Sequence, residues 1–207
     1  MSAAGEPGSA AVIDRRALLA GFGAACVLPR PAWAQPSAAT RLIAAARRQV
    51  GVTTRYDSGY SKLAFPGGDV PRDRGVCTDV LIRAYRDALG QDLQMLVNKD
   101  MRAAFAAYPK RWGLHAPDRN IDHRRVPNLQ TWFKRHGAQL PLPDNRAGWR
   151  PGDIFVCLIQ GWIPHIGLVS DRRGPNGWLV IHNIGAGARE EDMLFAYTLA
   201  ARYRWAI

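Results

Sequence analysis

The sequence is poor in cysteine and contains no apolar run long enough to cross a membrane. Its 207 residues include three cysteines, and their spacing does not match the paired ligands of a structural zinc site. No stretch approaches the roughly 20 consecutive apolar residues that a membrane-spanning helix requires, so no anchor is expected in the mature chain. Helix-turn-helix and other nucleic-acid-recognition signatures are also missing. Nucleic acid is therefore not expected as a partner.

Acidic residues are scarce relative to basic ones. Seventeen Asp and Glu stand against 28 Lys and Arg, which gives a formal net charge of +11. A charge of this size favours an anionic partner or surface, yet the basic residues are scattered, which is also typical of a solvated surface. With 47% hydrophobic residues, the chain has enough apolar material for one domain with a packed core.

The first 34 residues differ in character from the rest. Two arginines at positions 15–16 precede an apolar run over 17–28, and Ala34 closes a small-x-small cleavage site. This pattern predicts a signal peptide over residues 1–34 that resembles a twin-arginine export signal, with an ordinary secretory signal as the alternative. Residues 35–207 are then a single exported domain that is periplasmic or secreted.

Hydrophobic periodicity changes along the mature chain. Stripes at helical spacing dominate its first part, whereas short apolar segments separated by turn residues follow Pro151-Gly152. The predicted helices cover 41–50, 76–89, 92–107 and 128–136, and the predicted strands cover 153–160, 165–171, 178–183 and 201–206. Helices followed by strands indicate an α+β fold in which N-terminal helices pack on a mostly antiparallel C-terminal sheet.

Cys77 lies at the start of the second predicted helix. The positive end of a helix dipole and a nearby histidine both lower the pKa of a thiol toward neutrality, and the free amides of a first helical turn can stabilise an oxyanion. Gly75 permits a close approach at this point. Position alone is equally compatible with a buried structural cysteine. Cys157 differs, because it lies within an apolar run where a thiol acts as a small hydrophobe, so a disulfide is not favoured.

Two histidines lie on neighbouring predicted strands. His165 begins one strand, and His182 lies near the end of the next. If these strands are antiparallel neighbours, their imidazoles lie close together at one end of the ribbon. His165 is then the candidate base for Cys77, and His182 orients its imidazole. Asn183 is an alternative orienting group, although its parity directs it to the opposite face. Singly, each histidine is better explained as an ordinary strand residue, but the order Cys, His, His favours a triad.

Several motifs together resemble a known family. They are Gly75-Val76-Cys77-Thr78-Asp79 at a helix start, Pro151-Gly152-Asp153-Ile154, His165-Ile166-Gly167-Leu168-Val169, and His182. This set resembles the NlpC-type branch of papain-like cysteine peptidases, which cleave bacterial cell-wall peptides. Within that clan, segments 66–71, 117–129 and 181–185 resemble an uncharacterised bacterial family known as domain of unknown function 1287.

The resemblance implies a papain-like fold and roles for individual residues. Cys77 is the implied nucleophile, His165 the base and His182 the third polar residue. In this family a tyrosine upstream of the cysteine points into the site. Tyr56 is the nearest counterpart in this chain, with Tyr60 as the competitor.

Substrate specificity is expected to depend on departures from the better-known family members. Those read Ser-Gly after the cysteine, whereas this chain carries Thr78-Asp79, and a long insert precedes its sheet. Within the insert, Arg124 and Arg125 are available to bind carboxylates of an acidic stem peptide, with structural ion pairing as the alternative. The candidate substrate-binding residues are Asp79, Arg124, Arg125 and Trp162. Trp112, Trp132 and Trp149 also fall near loops, where they either line a groove or fill the core.

The expected function is amide-bond hydrolysis by an exported enzyme, with peptidoglycan or another peptide as substrate. Acyl transfer by the same triad is one alternative, and a catalytically silent module that binds the cell wall is another. No cofactor or metal is expected, because the acidic and histidine residues of the insert lack the spacing of a zinc motif and lie among arginines.

Overall fold

The computed structural model describes residues 35–207, and the predicted signal peptide lies outside this range. Four helices are present in the described part: α1 (Ala38–Arg47), α2 (Cys77–Leu89), α3 (Leu93–Ala104) and α4 (Val126–Arg135). The strands are β1 (Arg55–Tyr56), β2 (Arg74–Gly75), β3 (Gln139–Leu140), β4 (Ile154–Ile159), β5 (Ile163–Gly174), β6 (Gly177–Asn183), β7 (Ala188–Glu191) and β8 (Thr198–Tyr203).

Six of these strands form one antiparallel sheet in the order β3-β8-β4-β5-β6-β7. The remaining two, β1 and β2, form a small parallel pair between α1 and α2. The four helices all begin before the first long strand of the sheet. The predicted α+β fold, with N-terminal helices and a C-terminal antiparallel sheet, is therefore confirmed.

The two faces of the sheet bury separate clusters of side chains. Leu42 of α1 and Val80 of α2 pack in one cluster with Ile166 and Ile181 of the sheet. The residues of the second cluster lie on the opposite face and include Phe155, Cys157, Val169 and Val180, together with Trp149 and Leu194. Alternate residues of β4, β5 and β6 thus face opposite ways, as strand geometry requires. Fully burying each large apolar side chain stabilises the fold by roughly 1.5–3 kcal/mol.

Helix α2 is the central helix, and every residue from Cys77 to Tyr85 is buried. Its beginning is capped by Asp79, whose carboxylate accepts a hydrogen bond from the Val76 amide at 2.7 Å. Its end is Gly90, which adopts the left-handed backbone conformation that lacks a steric penalty only for glycine. The start and the end of this helix both lie where the sequence predicts them.

Several element boundaries differ from the predictions. α1 begins at Ala38, three residues before the predicted start, because Ser37 caps it and accepts a hydrogen bond from the Thr40 amide. α3 ends at Ala104 and continues as one 3₁₀ turn. The sequence did not predict β7, since Ala-Arg-Glu-Glu has no apolar alternation and forms a strand only by pairing with β6. Both described cysteines are free and buried. Among residues 35–207, no helix combines the length and apolarity needed to span a membrane.

Candidate active site

Cys77 is the first residue of α2, and hydrogen bonds of its neighbours Thr78 and Gly75 fix the backbone around it. The hydroxyl of Thr78 donates to the Arg124 carbonyl at 3.0 Å. The side-chain amide of Asn183, from β6, donates to the Gly75 carbonyl at 2.9 Å. Cys77 is only 5% exposed, so its thiol lies just beneath the protein surface, between the helix start and the sheet. Asn183 has this anchoring role, and it points away from His182 as its parity predicts.

His165 and His182 form a hydrogen-bonded pair that continues to a carboxylate. Nε2 of His165 lies 3.0 Å from Nδ1 of His182. Nε2 of His182 lies 2.9 Å from Oε1 of Glu191 on β7. Both imidazoles are buried, whereas the Glu191 side chain is 39% exposed. The predicted proximity of the two histidines is confirmed, and Glu191 extends the pair to a chain of three groups.

The hydrogen-bonding partner of each ring nitrogen determines which nitrogen of His165 and of His182 carries the proton. A carboxylate oxygen only accepts hydrogen bonds, so Nε2 of a neutral His182 must donate to Glu191. Nδ1 of His182 is then an acceptor, and Nε2 of His165 donates to it. The remaining ring nitrogen of His165, Nδ1, keeps its lone pair and is the basic atom of the chain.

Sheet register explains how the histidines meet. Leu168 on β5 pairs with Ile181 on β6, which places His182 beside Gly167 and diagonal to His165. A Cβ atom at position 167 would lie 2.8 Å from Cβ of His182 and 2.6 Å from the Phe155 ring. The absence of a side chain at Gly167 therefore leaves the space through which the two imidazoles contact each other.

The pKa of Cys77 differs from the sequence-based expectation. Burial raises the pKa of the thiol to about 11, and the amides of Ile166, Thr78 and Cys77 oppose this rise by hydrogen bonding. The amides at the helix start do lower this pKa, as expected, but desolvation of the thiolate outweighs them, so the pKa lies above its ordinary value. Burial and, secondarily, His182 also lower the pKa of His165 to about 3. The resting pair is thus a neutral thiol and a neutral imidazole.

Tyr56 lies next to Cys77, as the family resemblance implies. β1 pairs with β2 so that Tyr56 is opposite Gly75. Burial and then the neighbouring Cys77 raise the pKa of the Tyr56 hydroxyl to about 12, so it is a neutral hydrogen-bonding group at neutral pH. Tyr60 instead donates to Asp118 at 3.0 Å.

Two cavities lie beside the candidate catalytic residues. The first has a volume of about 480 Å³ and is lined by Cys77, while the second has a volume of about 400 Å³ and is lined by His165. Tyr56 and Pro164 line both. Within residues 35–207 no hydrogen bond joins Cys77 to His165, and the thiol is approached by the amide of the next residue, Ile166. Cys77 therefore borders only the first cavity and His165 only the second, and the two cavities adjoin at Tyr56 and Pro164.

The candidate substrate-binding residues differ in burial and in whether they line a cavity. Arg124 and Asp79 form a buried ion pair at 2.9 Å, with side chains 2% and 4% exposed, and Arg124 also donates to two loop carbonyls. The structure therefore corrects their assignment as substrate ligands, since each already saturates the other. Trp162 is 72% exposed and lines neither cavity, so its role in substrate binding stays a prediction. Arg125 does line the first cavity.

Sequence reasoning missed two parts of the site. Glu191 lies in a charged tetrapeptide without strand periodicity, so no local signal marked it. Arg111 lies in an irregular segment and reaches the first cavity only through the fold. Of the tryptophans near loops, Trp112 lines this cavity, whereas Trp132 and Trp149 are buried in the core.

Comparison with known proteins shows the family. The model described as domain of unknown function (DUF1287) matches residues 43–205. The chain belongs to this family. It is also 52% identical over 161 residues to the uncharacterized protein YijF of Escherichia coli (strain K12), an alignment that covers 77% of this chain and 78% of that protein. The match includes Cys77, His165, His182 and Glu191 within its family boundaries.

Proposed function

We propose that this protein is an exported cysteine hydrolase of the NlpC-like, papain-like type that cleaves amide bonds, with peptidoglycan stem peptides as its substrate. The observation that supports this most strongly is the hydrogen-bonded series from Glu191 through His182 to His165, which leaves Nδ1 of His165 as a basic atom. His165 lines a cavity that shares Tyr56 and Pro164 with the cavity lined by Cys77.

The proposed reaction begins when substrate fills the cleft and the thiol proton of Cys77 passes to Nδ1 of His165. The sulfur forms a bond to the amide carbonyl carbon, and the resulting oxyanion is stabilised by amides at the start of α2. His165 then donates its proton to the amide nitrogen as the C–N bond breaks, which leaves a thioester on Cys77. Water attacks the thioester, returns a proton through His165, and releases the acid and the free thiol.

His182 and Glu191 act as positioning residues in this scheme. The imidazolium of His165 that forms after proton transfer donates through Nε2 to His182, while Glu191 keeps Nδ1 of His182 available as the acceptor. Tyr56 supplies a hydroxyl beside the sulfur. Burial keeps Cys77 a neutral thiol in the free protein, so in this scheme His165 deprotonates it after substrate has filled the cleft.

A catalytically silent module that binds the cell wall is the second candidate. The raised pKa of Cys77 favours it, since a thiol with a pKa near 11 is almost fully protonated at neutral pH. The two candidates differ in whether Cys77 is needed for fragment release from the wall.

Digestion of purified sacculi tests the proposed function. Wild-type protein and Cys77→Ala are incubated with sacculi, and released fragments are identified by mass spectrometry. Met101→Leu is the matched control, because it also removes a buried sulfur atom but lies on α3 and lines neither cavity. We expect fragments from wild type and Met101→Leu and none from Cys77→Ala. Equal release of fragments by Cys77→Ala and wild type would contradict the hydrolase assignment. Binding of all three proteins to sacculi without any release of fragments would contradict it as well.

The positioning role of Glu191 has its own test. Glu191→Gln keeps the size of the side chain but removes its charge, and its amide group can donate to Nε2 of His182 and reverse the proton order. We expect a fall in kcat of about tenfold, the effect of one charge-assisted hydrogen bond, together with a shift of the lower limb of the pH profile. An unchanged profile would show that Glu191 is only a structural partner.

A further inference from the structure

The first cavity has a cationic wall beside Cys77. Two arginines and a tryptophan form this wall: the Arg125 guanidinium lies 4.2 Å from the centre of the Trp112 ring, and that of Arg111 lies 5.9 Å from it. None of the residues that line the cavity is an aspartate or glutamate. The wall therefore presents positive charge and a flat aromatic surface to whatever occupies the space.

The two arginines differ in whether their guanidinium groups already pair with a carboxylate of the protein. Arg125 forms an ion pair with Asp122 at 2.9 Å through a single nitrogen, Nη1, so its other N–H groups are available. Arg111 is exposed and forms no ion pair with any residue in the range 35–207. A guanidinium offers five donors in a planar arrangement that matches a carboxylate. The cavity thus contains one fully available cation and one partly available cation.

Arg124, which also lines the cavity, does not add to this charge. Its guanidinium donates to both oxygens of Asp79 and to the carbonyls of Asp57 and Gly59. Its charge is neutralised within the protein. The anion-binding capacity of the cavity therefore comes from Arg111 and Arg125, not from the adjacent pair Arg124 and Arg125 that the sequence suggests.

We propose that the first cavity is a subsite for a carboxylate on the acyl half of the substrate, bound by Arg111 and Arg125 with Trp112 supporting the aliphatic part. The assignment to the acyl half rests on the proposed function, because His165 gives its proton to the leaving amine and lines the other cavity. The second cavity is lined mainly by apolar residues: Ile159, Ile163, Ile184, Tyr197. The preferred substrate is thus an acidic peptide cleaved on the carboxyl side of its anionic residue.

Calorimetric titration of Cys77→Ala separates binding from turnover. The probes are acetyl-Ala-Glu-amide and acetyl-Ala-Gln-amide, each with the D and the L form of the second residue, which differ only in one carboxylate. We expect a Glu peptide to bind about tenfold more tightly than its Gln counterpart, as one charge-assisted contact provides, and this difference to shrink as salt is added. Equal affinities of the Glu and Gln peptides would overturn the subsite.

Variants of the cavity wall provide the second half of the test. In the Cys77→Ala background, Arg111→Ala removes an exposed side chain, so folding is not at issue, and we expect it to abolish most of the preference for Glu. Arg102→Ala, an exposed arginine on α3 that lines neither cavity, is the matched control. A preference unchanged in Arg111→Ala would refute the assignment. A Glu preference without cleavage of sacculi would refute only the proposed function, whereas cleavage without any charge preference would refute only the subsite.

Discussion

Lowering the pH from 7 to 5 is expected to destabilise this protein strongly through three buried histidines. His123, His165 and His182 are each at most 2% exposed. Burial, followed by the charge of Arg124, lowers the pKa of His123 to about 3, and burial lowers the pKa of His165 to about 3 as well. Burial also lowers the pKa of His182. In the unfolded chain all three return to the ordinary value of about 6.5.

The sign follows from proton binding. Below pH 6.5 the unfolded chain takes up protons that the native protein excludes, so the contribution to stability is fully present above pH 6.5 and is lost as the pH falls. At pH 5 each excluded proton costs about 2 kcal/mol. His123 and His165 alone therefore remove about 4 kcal/mol, a large share of the roughly 5–15 kcal/mol that stabilises a domain.

Carboxyl groups shift in two directions. Burial raises the pKa of Asp122, so any proton that it binds as the pH falls offsets part of the histidine effect. Asp87, Asp100 and Asp171 have lowered pKa values because of their arginine partners, with burial opposing the shift. Their contribution is lost only as the pH falls below the ordinary carboxyl value of about 4. Between pH 7 and 5 the change in unfolding free energy therefore reports on the histidines and, with the opposite sign, on Asp122.

Urea denaturation at pH 7, 6 and 5 measures this change. Near pH 5 each buried histidine contributes about 1.4 kcal/mol per pH unit to the slope of unfolding free energy against pH. His123→Asn should reduce the slope by that amount, whatever it does to absolute stability. Val180→Ala, a buried substitution without a titrating group, should lower stability and keep the slope. Unfolding free energies at pH 7 and pH 5 that agree within about 1 kcal/mol would refute the reasoning.

Two further substitutions test the contacts that support the site. Asp79→Asn leaves the Arg124 guanidinium buried without its partner, and we expect a loss of about 3–5 kcal/mol in unfolding free energy; a loss below about 1 kcal/mol would show that the pair is solvated. Gly167→Ala forces a methyl group against Phe155 and His182, and we expect it to cost about 1–3 kcal/mol and to remove the NMR signal of the proton shared by His165 and His182. Retention of that signal would contradict the proposed role of Gly167.

The sequence alone determined the parts of the protein that depend on local pattern. Apolar residues at helical spacing and a terminal glycine located α2, and hence Cys77 at its start. Alternation along β5 and β6 predicted which residues of each strand share a face with His165 or His182, and the register of the two strands then put both histidines on the same face. Each of these features depends on the pattern of residues within one helix or strand, so the sequence of that element encodes it.

Only the tertiary structure decided the partners and the electrostatics. Glu191 reaches His182 because the register of β6 and β7 pairs Val180 with Glu191, and nothing in the charged β7 segment specifies that register. Asp79 and Arg124 are 45 residues apart, and the fold converts two predicted ligands into one buried ion pair. The pKa of Cys77 rises because the surrounding core removes water from the thiol. Burial depends on every element that packs against a group, which is why no local pattern predicts it.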